Sequence, residues 1–495
     1  MTLLRPAVLA AVWVAAQVVC ATSLGHEQRE AFAFWQRQQR HRTLVSRQVT
    51  GPTCVGATPA EGLTERLNSM LQNGGDNYIL SLCPNTTYSI TGPLVFTNSG
   101  QEISTAGYPI DDSRAILLVN GSTANDGTGH TIAIQGGCPQ CKDIKMRNFQ
   151  IDGNRRGAPP ISGGGNMEIG GSGGGQLVEF VKSFDPRGWS CLHIAEGVLD
   201  CANATVRYND IGPCGSDVFG HWSDGISLSC KDSQVYDNWI KDPTDGGIVI
   251  FQSPGSLIRN NTIWVENNTC LGGINLVDYD PFAGNYTGTQ VVGNTIIGGY
   301  ATSEPSINPQ FGYNNESAII KMGIPLGLKP WFGDKWGSAT AFGATVIGNK
   351  LSGAFGYGIP ISGVKDFTVR DNVMFGNHTF IGAKGPNCTE KDIVPPAVDF
   401  VIDPAAVTTS SILGVWKLHT ITALLCLTPP RGGTSPVWPM GTWPDASPPA
   451  NVSGGSTLKS ASDWCSAGES NDACMTRFAT SLYGKPVSFI TGREL

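Results

Sequence analysis

The chain has 495 residues, of which 15% are charged and 63 are glycine. Average domains hold about 25% charged residues and about 7% glycine, so this composition favours a β protein with many turns. The net charge of −7 gives no reason to expect nucleic acid or an anionic membrane as a partner, and disfavours a strongly anionic polymer unless a local basic patch exists.

The first segment of the chain predicts export. Residues 1–21 hold Arg5, an apolar run over residues 6–19, and small residues at a possible cleavage site. This order is typical of a secretory signal, and the run is too short to span a membrane stably. Residues 22–50, polar and rich in Gln and Arg, are interpreted as a pro-segment or mobile arm.

Sequons and cysteines also indicate a secreted protein. Thirteen cysteines remain after Cys20 leaves with the signal, and in an oxidising compartment they are expected to form disulfides, with at least one thiol left over. The CxxC pair Cys138 and Cys141 is interpreted as part of the disulfide set rather than as a metal or redox site. N-x-Ser/Thr sequons, which predict N-glycosylation, occur at Asn85, Asn120, Asn203, Asn260, Asn267, Asn285, Asn315, Asn377, Asn387 and Asn451.

A repeat organises the middle of the chain. The phrase V/I-x-x-N-x-I/L/M occurs six times, with asparagines separated by 29, 23, 33, 55 and 23 residues; they are Asn209, Asn238, Asn261, Asn294, Asn349 and Asn372. The gap of 55 predicts two coils, one of them degenerate. A second phrase precedes several copies of the first, at Asp224–Leu228, Asp245–Ile250, Gly272–Leu276 and Gly358–Ile361.

These phrases predict a right-handed parallel β-helix over residues 51–395, with two short strands in each coil and an irregular cap or tail over residues 396–495. The repeated Asn is expected to adopt the left-handed conformation of a sharp corner and to bond to the Asn of the next coil in a ladder. Stacking supplies the core that a single coil lacks. A β-sandwich or propeller is the alternative, but neither explains a nearly fixed phrase every 23–33 residues.

Over about residues 140–380 the chain resembles polygalacturonase-type glycoside hydrolases of the pectin-lyase-like β-helix superfamily. The resemblance rests on Ile151–Asn154 (I-D-G-N), Trp189–Ile194 (W-x-x-x-H-I), Ser223–Leu228 and the coil that begins at Asp245. It implies that Asp224 and Asp245 are catalytic carboxylates.

The chain also departs from that pattern. Trp222 stands where the family has Asn, Gly246 where it has a second paired aspartate, and Leu271–Ile274 where it has a histidine. Only Ile320 and Lys321 match its R-I-K motif. We therefore expect a divergent relative that acts on another glycan.

The spacing itself also supports carboxylate chemistry. Neighbouring strands lie about 4.8 Å apart, and a one-residue offset adds about 3.3 Å, so the Cα atoms of Asp224 and Asp245 are expected about 6 Å apart. This separation straddles the values for retaining and inverting glycosidases and does not choose between them. The alternative is that both aspartates only cap tight turns.

Other residues near the same edge are candidates for substrate binding: Asp217, His221, Asp278, Asp280, Lys321 and Trp336. Asp278 and Asp280 are alternatively part of a solvated loop. Trp331 and Trp336 either stack on a sugar ring or pin the loop over residues 300–338 to the coil surface.

Three functions remain open at this point. The first is a secreted glycoside hydrolase that cleaves a plant or microbial polysaccharide without a cofactor or metal. The second is a polysaccharide lyase with Lys321 or Arg259 as the base and calcium held by acidic side chains. The third is a glycan-binding or adhesive solenoid, since a fold alone does not fix an activity. In each case the expected partner is a polysaccharide, with no nucleic acid or membrane, and the protein is expected to be a monomer.

Overall fold

The computed structural model describes residues 54–216, 221–277, 282–299, 319–332, 340–380, 397–421 and 424. The predicted signal over residues 1–21 and the polar segment over residues 22–50 lie outside the described residues, as does most of the predicted cap or tail.

Parallel strands stack into three long sheets. Sheet 1 consists of β1 Ile79–Leu82, β4 Glu102–Thr105, β7 Lys145–Arg147, β10 Leu177–Glu179, β13 Thr205–Arg207, β16 Gln234–Tyr236, β19 Leu257–Arg259, β22 Gln290–Val292, β26 Thr345–Ile347, β29 Thr368–Arg370 and β33 Ser411–Ile412. Sheet 2 consists of β2 Thr87–Ile90, β5 Ile116–Val119, β8 Gln150–Asp152, β11 Lys182–Phe184, β14 Asp210–Ile211, β17 Trp239–Lys241, β20 Thr262–Trp264, β23 Thr295–Ile297, the first part of β27 Lys350–Ile361, and β30 Val373–Phe380.

Sheet 3 carries the candidate site. It consists of β3 Leu94–Val95, β6 Ile134–Gly136, β9 Met167–Gly170, β12 Ser190–Ala195, β15 Asp224–Leu228, β18 Gly246–Ile250, β21 Cys270–Asn275, β24 Ile320–Met322, the second part of β27, β31 Val398–Ile402 and β34 Lys417–Leu418. A small fourth sheet joins β25 Ala341–Phe342, β28 Val364–Lys365 and β32 Val407–Thr408.

Successive coils contribute one strand to each long sheet, so the chain is a parallel β-helix, and the predicted fold class is confirmed. A full coil holds three strands rather than the predicted two. The reason is that the V-x-x-N-x-I phrase itself bends at its asparagine: β16 ends at Tyr236, Asn238 lies at the corner, and β17 begins at Trp239. The second phrase supplies the third strand.

The predicted asparagine ladder is present. The side-chain Nδ2 of each of Asn209, Asn238, Asn261, Asn294 and Asn349 donates to Oδ1 of the next asparagine over 2.9–3.0 Å. Each Nδ2 also donates to a backbone carbonyl of the preceding coil, and the Oδ1 of each asparagine after Asn209 also accepts from the backbone amide of the asparagine before it. For Asn238 these partners are Val206 O and Asn209 N, whereas Oδ1 of Asn209, the first of the ladder, accepts from Val181 N. The ladder therefore satisfies amides that are fully buried.

The prediction that the repeated Asn adopts the left-handed conformation at the corner is wrong. The ladder asparagines keep negative φ, and the residue just before each of them has positive φ instead, as at Tyr208 (57°), Asp237 (55°), Asn260 (53°) and Asp371 (58°). A side chain in the left-handed conformation points away from the core at this corner. The following residue is thereby free to turn its amide inward and join the ladder.

The prediction of a degenerate coil within the gap of 55 residues is also wrong. Strand β22 pairs directly with β26, and β23 pairs directly with β27. Asn294 bonds to Asn349 across this gap. A single coil therefore spans the 55 residues, and its extra length lies mostly between β23 and β24 and for the rest between β24 and β26.

Apolar side chains from the three sheets fill the interior. One column in sheet 1 runs in register through Val178, Val206, Val235, Ile258, Val291, Val346 and Val369, all of which are buried. Helix α1, Leu63–Gly74, lies against the first coil through Leu63, Leu67 and Leu71 and shields the end of the stack. Helix α2 spans Lys329–Phe332, and a 3₁₀ turn spans Pro404–Ala406.

Disulfides link several coils. The described pairs are Cys54–Cys83, Cys138–Cys141, Cys191–Cys214 and Cys201–Cys230, and Cys270 is a buried free thiol. The CxxC pair is thus disulfide-bonded, as predicted. Four disulfides in the described part of the chain agree with folding in an oxidising compartment.

Sequon asparagines differ from ladder asparagines in their exposure. Asn85, Asn120, Asn203, Asn260 and Asn267 are all exposed, which suits the predicted glycosylation. Within the described residues, no helix is long and apolar enough to cross a membrane.

Candidate active site on the outer face of sheet 3

The two predicted carboxylates lie on neighbouring coils of sheet 3. Asp224 is the first residue of β15, and Asp245 immediately precedes β18. Ile226 pairs with Ile248, and continuing this register backwards places Asp224 opposite Gly246. Asp245 is therefore offset by one residue, which at ordinary strand spacing corresponds to about 6 Å between the Cα atoms of the two aspartates.

Glycines show which way the carboxylate of Asp224 points. A Cβ on Gly225 would lie 2.8 Å from the core side chain of Ile240, and one on Gly247 would lie 2.8 Å from the core side chain of Ile263. A Cβ on Gly246 would instead lie 3.2 Å from Oδ1 of Asp224. The side chain of Asp224 is therefore on the outer side of the sheet.

Asp224 is held as a hydrogen-bond acceptor. Gly246 N donates to its Oδ1 over 2.8 Å, and Ser227 Oγ donates to its Oδ2 over 2.8 Å. Accepting at both oxygens suits an ionised carboxylate. The bond from Gly246 crosses to the neighbouring strand, which a carboxylate that only capped its own turn would not do.

Both carboxylates are almost fully covered. Asp224 is 3% exposed and Asp245 is 6% exposed. The backbone amide of Asp245 donates to Ser223 O, and its carbonyl accepts from the amides of Leu271 and Gly272, which fixes its place between two coils. Carboxylates removed from water in this way interact strongly with whatever binds beside them.

Lys321 lies in the same column of the sheet as Asp245. Cys270 pairs with Ile320 and Gly272 with Met322, so Leu271 lies opposite Lys321 and next to Asp245. Lys321 is fully buried, and this burial lowers the pKa of its ammonium group to about 7. A lysine with this pKa holds a neutral amine in a large part of the molecules near neutral pH and is able to accept a proton.

His221 lies in the segment that leads into β15, two residues before Ser223 and three before Asp224. Arg155 donates to His221 O over 2.7 Å and to Ser223 Oγ over 3.1 Å. Burial, and then the charge of Arg155, lower the pKa of His221, so its imidazole is neutral at pH 7. Burial also lowers the pKa of Arg155 to about 10.

Sequence reasoning missed a carboxylate–imidazole pair on this face. Nδ1 of His193 lies 2.7 Å from Oε2 of Glu168, and the edge of Trp189 packs on the His193 ring at 4.6 Å between centroids. Burial lowers the pKa of His193, but the charge and hydrogen bond of Glu168 outweigh it, so the pKa is raised. The W-x-x-x-H-I phrase contains Trp189 and His193, whereas Glu168 is recognised only through the pairing of β9 with β12.

The remaining predicted site residues lie either outside the described part of the chain or away from the two carboxylates. Asp217, Asp278, Asp280 and Trp336 lie outside the described residues. Arg259 is on sheet 1, where its guanidinium lies 4.4 Å from the ring centroid of Tyr236, so the structure does not bring it to the carboxylates.

Trp331 lies on α2 and packs against an apolar cluster that includes Met322 and Tyr357, which supports its role in holding the local structure together. Among the described residues, no group of three or more His, Cys, Asp or Glu side chains forms a metal-ligand cluster.

No known family profile matches the chain, and no curated protein matches it. Solved structures that are similar include DFA-IIIase from Arthrobacter chlorophenolicus A6 in complex with GF2, with a TM-score of 0.41 and 14% identity, covering 75% of this chain and 94% of that one. PfbA, a surface adhesin of Streptococcus pneumoniae, has a TM-score of 0.42 and 11% identity over 76% of this chain and 89% of that one.

A PL6 alginate lyase in complex with a trisaccharide has a TM-score of 0.41 and 13% identity, covering 71% of this chain and 63% of that one. The parallel β-helix of this chain is established by its own strand pairing. Likenesses at this level assign no activity to the chain.

Proposed function

We propose that this protein is a secreted carbohydrate-active enzyme, and specifically a glycoside hydrolase that uses Asp224 and Asp245 as its two carboxyl groups. The observation that supports this most is their placement at the start of adjacent strands of sheet 3, one residue out of register, with the Asp224 carboxylate on the outer side and held by Gly246 N and Ser227 Oγ. Two carboxyl groups in this relation are able to flank a single glycosidic bond.

The hydrogen bonds suggest a division of roles. Asp224 accepts two hydrogen bonds and acts as the carboxylate, which either attacks the anomeric carbon or takes a proton from the attacking water. Asp245 then acts as the acid that gives its proton to the leaving oxygen. Because both groups are buried, their electrostatic interactions with the bond are little screened by water.

A second candidate, a polysaccharide lyase, is favoured by Lys321. Its burial lowers the pKa to about 7, and it lies two coils from Asp245 in the same column. A neutral amine there would remove a proton from a sugar ring carbon, and the bond to the leaving oxygen would then break by elimination. Arg259, the other base considered for this reaction, lies on sheet 1 and is dropped from the proposal.

The test is a screen of plant, fungal and bacterial polysaccharides with the wild-type protein, D224N and D245N. Hydrolysis gives a new reducing end without ultraviolet absorption, whereas elimination gives an unsaturated sugar that absorbs. We expect new reducing ends from the wild type and a large loss in both variants. Equal activity in all three proteins would remove these residues from the mechanism.

A matched control for both variants is D371N. Asp371 is an exposed aspartate with φ of 58° at a corner of the same solenoid, and asparagine tolerates that conformation. This substitution removes the same charge far from sheet 3, and we expect full activity. An absorbing product that requires Lys321 but neither aspartate would favour the lyase.

A further inference from the structure

An unpaired polar group lies beside Asp224. Oδ1 of Asn275, on β21, has no hydrogen-bond partner among the described residues, and Asn275 is only 1% exposed. Leaving a buried acceptor unpaired is costly, so native structures rarely keep one without a water or ligand to fill its place.

Two glycines allow this amide to reach toward Asp224. A Cβ on Gly272 would lie 1.9 Å from Oδ1 of Asn275, so the amide occupies space that only a glycine leaves open. A Cβ on Gly246 would lie 2.8 Å from Nδ2 of Asn275 and 3.2 Å from Oδ1 of Asp224. The carboxamide and the carboxylate therefore converge over Gly246, although they belong to strands two coils apart.

The charges on this face indicate what kind of sugar would fit. The sheet 3 strands from β9 to β24 carry two basic side chains, His193 and Lys321, and His193 is already paired with Glu168. The carboxylate of Asp224 lies close to the Asn275 amide over Gly246. Arg155 is a further cation near this face, and it bonds to Ser223 Oγ and His221 O. Next to the Asn275 amide the charged group is the Asp224 carboxylate, which would repel a sugar carboxylate, whereas a hydroxyl group finds acceptors there.

We propose that Asn275 and Asp224, over Gly246 and Gly272, form a subsite for an uncharged sugar ring, in which Oδ1 of Asn275 accepts a hydrogen bond from a ring hydroxyl. This inference rests on the proposed glycan-processing function of the same face and adds to it the substrate class, a neutral glycan rather than a polyuronate. Asn275 acts in binding and takes no part in bond cleavage.

The test measures binding in a D245N background, which leaves the subsite intact and keeps the probe from being cut. The probes are xylotetraose, mannotetraose, cellotetraose and laminaritetraose, with tetragalacturonate as the charged comparison, each titrated by calorimetry. We expect at least one neutral tetrasaccharide to bind, and N275A to weaken that binding at least tenfold.

A second variant perturbs the subsite from the other side. G272A keeps Asn275 but places a methyl group where its Oδ1 lies, and the backbone at Gly272 does not need positive φ. We expect it to weaken binding as N275A does. The control is G137A, next to β6 on the same sheet, where an added Cβ meets nothing within 4 Å and binding is expected to be unchanged.

Unchanged binding in both N275A and G272A would overturn the proposal, as would binding of tetragalacturonate alone or of no neutral probe at all. The outcome is separable from that of the hydrolase proposal. If D245N hydrolyses glycans as fast as the wild type, the hydrolytic mechanism fails, while a loss of binding in N275A would still support the subsite.

Discussion

The asparagine corner between sheets 1 and 2 and the outer face of sheet 3 differ in how they treat buried polar groups. At the corner, each coil repeats the same amide, and each interior amide donates and accepts all that it can. On sheet 3, successive coils place Asp224, Gly246 and Gly272 in one column, and the nearby Asn275 keeps an unpaired Oδ1 within the described structure.

This difference separates stability from function. Repetition and complete hydrogen bonding at the corner are what a stack of coils needs in order to stay together. Buried carboxylates and an unpaired amide do not help a solenoid to fold, and such groups are typical of sites that bind a ligand. We therefore expect substitutions at the corner to lower stability, and substitutions on sheet 3 to lower activity.

The largest effect is expected at the carboxylates. D224N and D245N should each lower the turnover of the glycan found in the screen by about 10²–10⁴-fold, the usual contribution of acid–base catalysis. Asparagine has the shape of aspartate and still accepts from Gly246 N, so the unfolding midpoint of D224N should stay close to that of the wild type. If D224N instead loses much stability but keeps its activity per folded molecule, then Asp224 contributes to stability, as the corner asparagines do, and not to catalysis.

At the corner, N238A should lower the free energy of unfolding by roughly 2–5 kcal/mol, because it removes four buried hydrogen bonds: Asn209 N and Nδ2 lose an acceptor, and Val206 O and Asn261 Oδ1 lose a donor. Urea unfolding followed by tryptophan fluorescence measures the change. Gln234, exposed at the start of the neighbouring strand, provides the control Q234A, which should change stability by less than about 0.5 kcal/mol. Similar midpoints for the two variants would contradict the role of the ladder.

Lys321 predicts a pH dependence of stability. Its pKa is about 7 in the folded protein against an ordinary 10.5, so between these values the unfolded chain binds more protons than the folded one. Stability should therefore rise with pH above 7, by up to about 1.4 kcal/mol per pH unit from this group. K321M removes this group. The difference in the free energy of unfolding between wild type and K321M should therefore grow between pH 7 and 8.5, at up to about 1.4 kcal/mol per pH unit. Parallel pH profiles for the two proteins would show that Lys321 is charged when folded.

The smallest effect concerns Glu168 and His193. Removing the carboxylate charge in E168Q should lower the pKa of His193, because the interaction that outweighs burial is lost. Histidine titration by NMR in selectively labelled protein measures this shift. An unchanged pKa for His193 would mean that the pair does not form in solution.

The repeating part of the fold could be predicted from the sequence, because one phrase specified both the position of each corner and its ladder. The number of strands per coil was missed because the bend lies inside that phrase, between Val235 and Ile240. The left-handed residue was misplaced by one position, since residue preference does not say which of two neighbours, such as Asp237 and Asn238, adopts positive φ.

Only part of the candidate site could be predicted. The one-residue offset between Asp224 and Asp245 could be predicted, because each aspartate begins a copy of the same phrase. Glu168 and Asn275 could not be found in this way, because their neighbours depend on the pairing of β9 with β12 and on the space left by Gly272. The burial of Lys321 likewise depends on packing between coils that no local pattern reports.

The central claim is that two carboxyl groups on adjacent coils act together on one glycosidic bond, and a double variant tests it most directly. Residues that act as a unit show non-additive losses, so D224N/D245N should be no more than about tenfold slower than the worse single variant. If each substitution lowers turnover by its own factor and the double variant shows their full product, the two aspartates act independently and the account is contradicted.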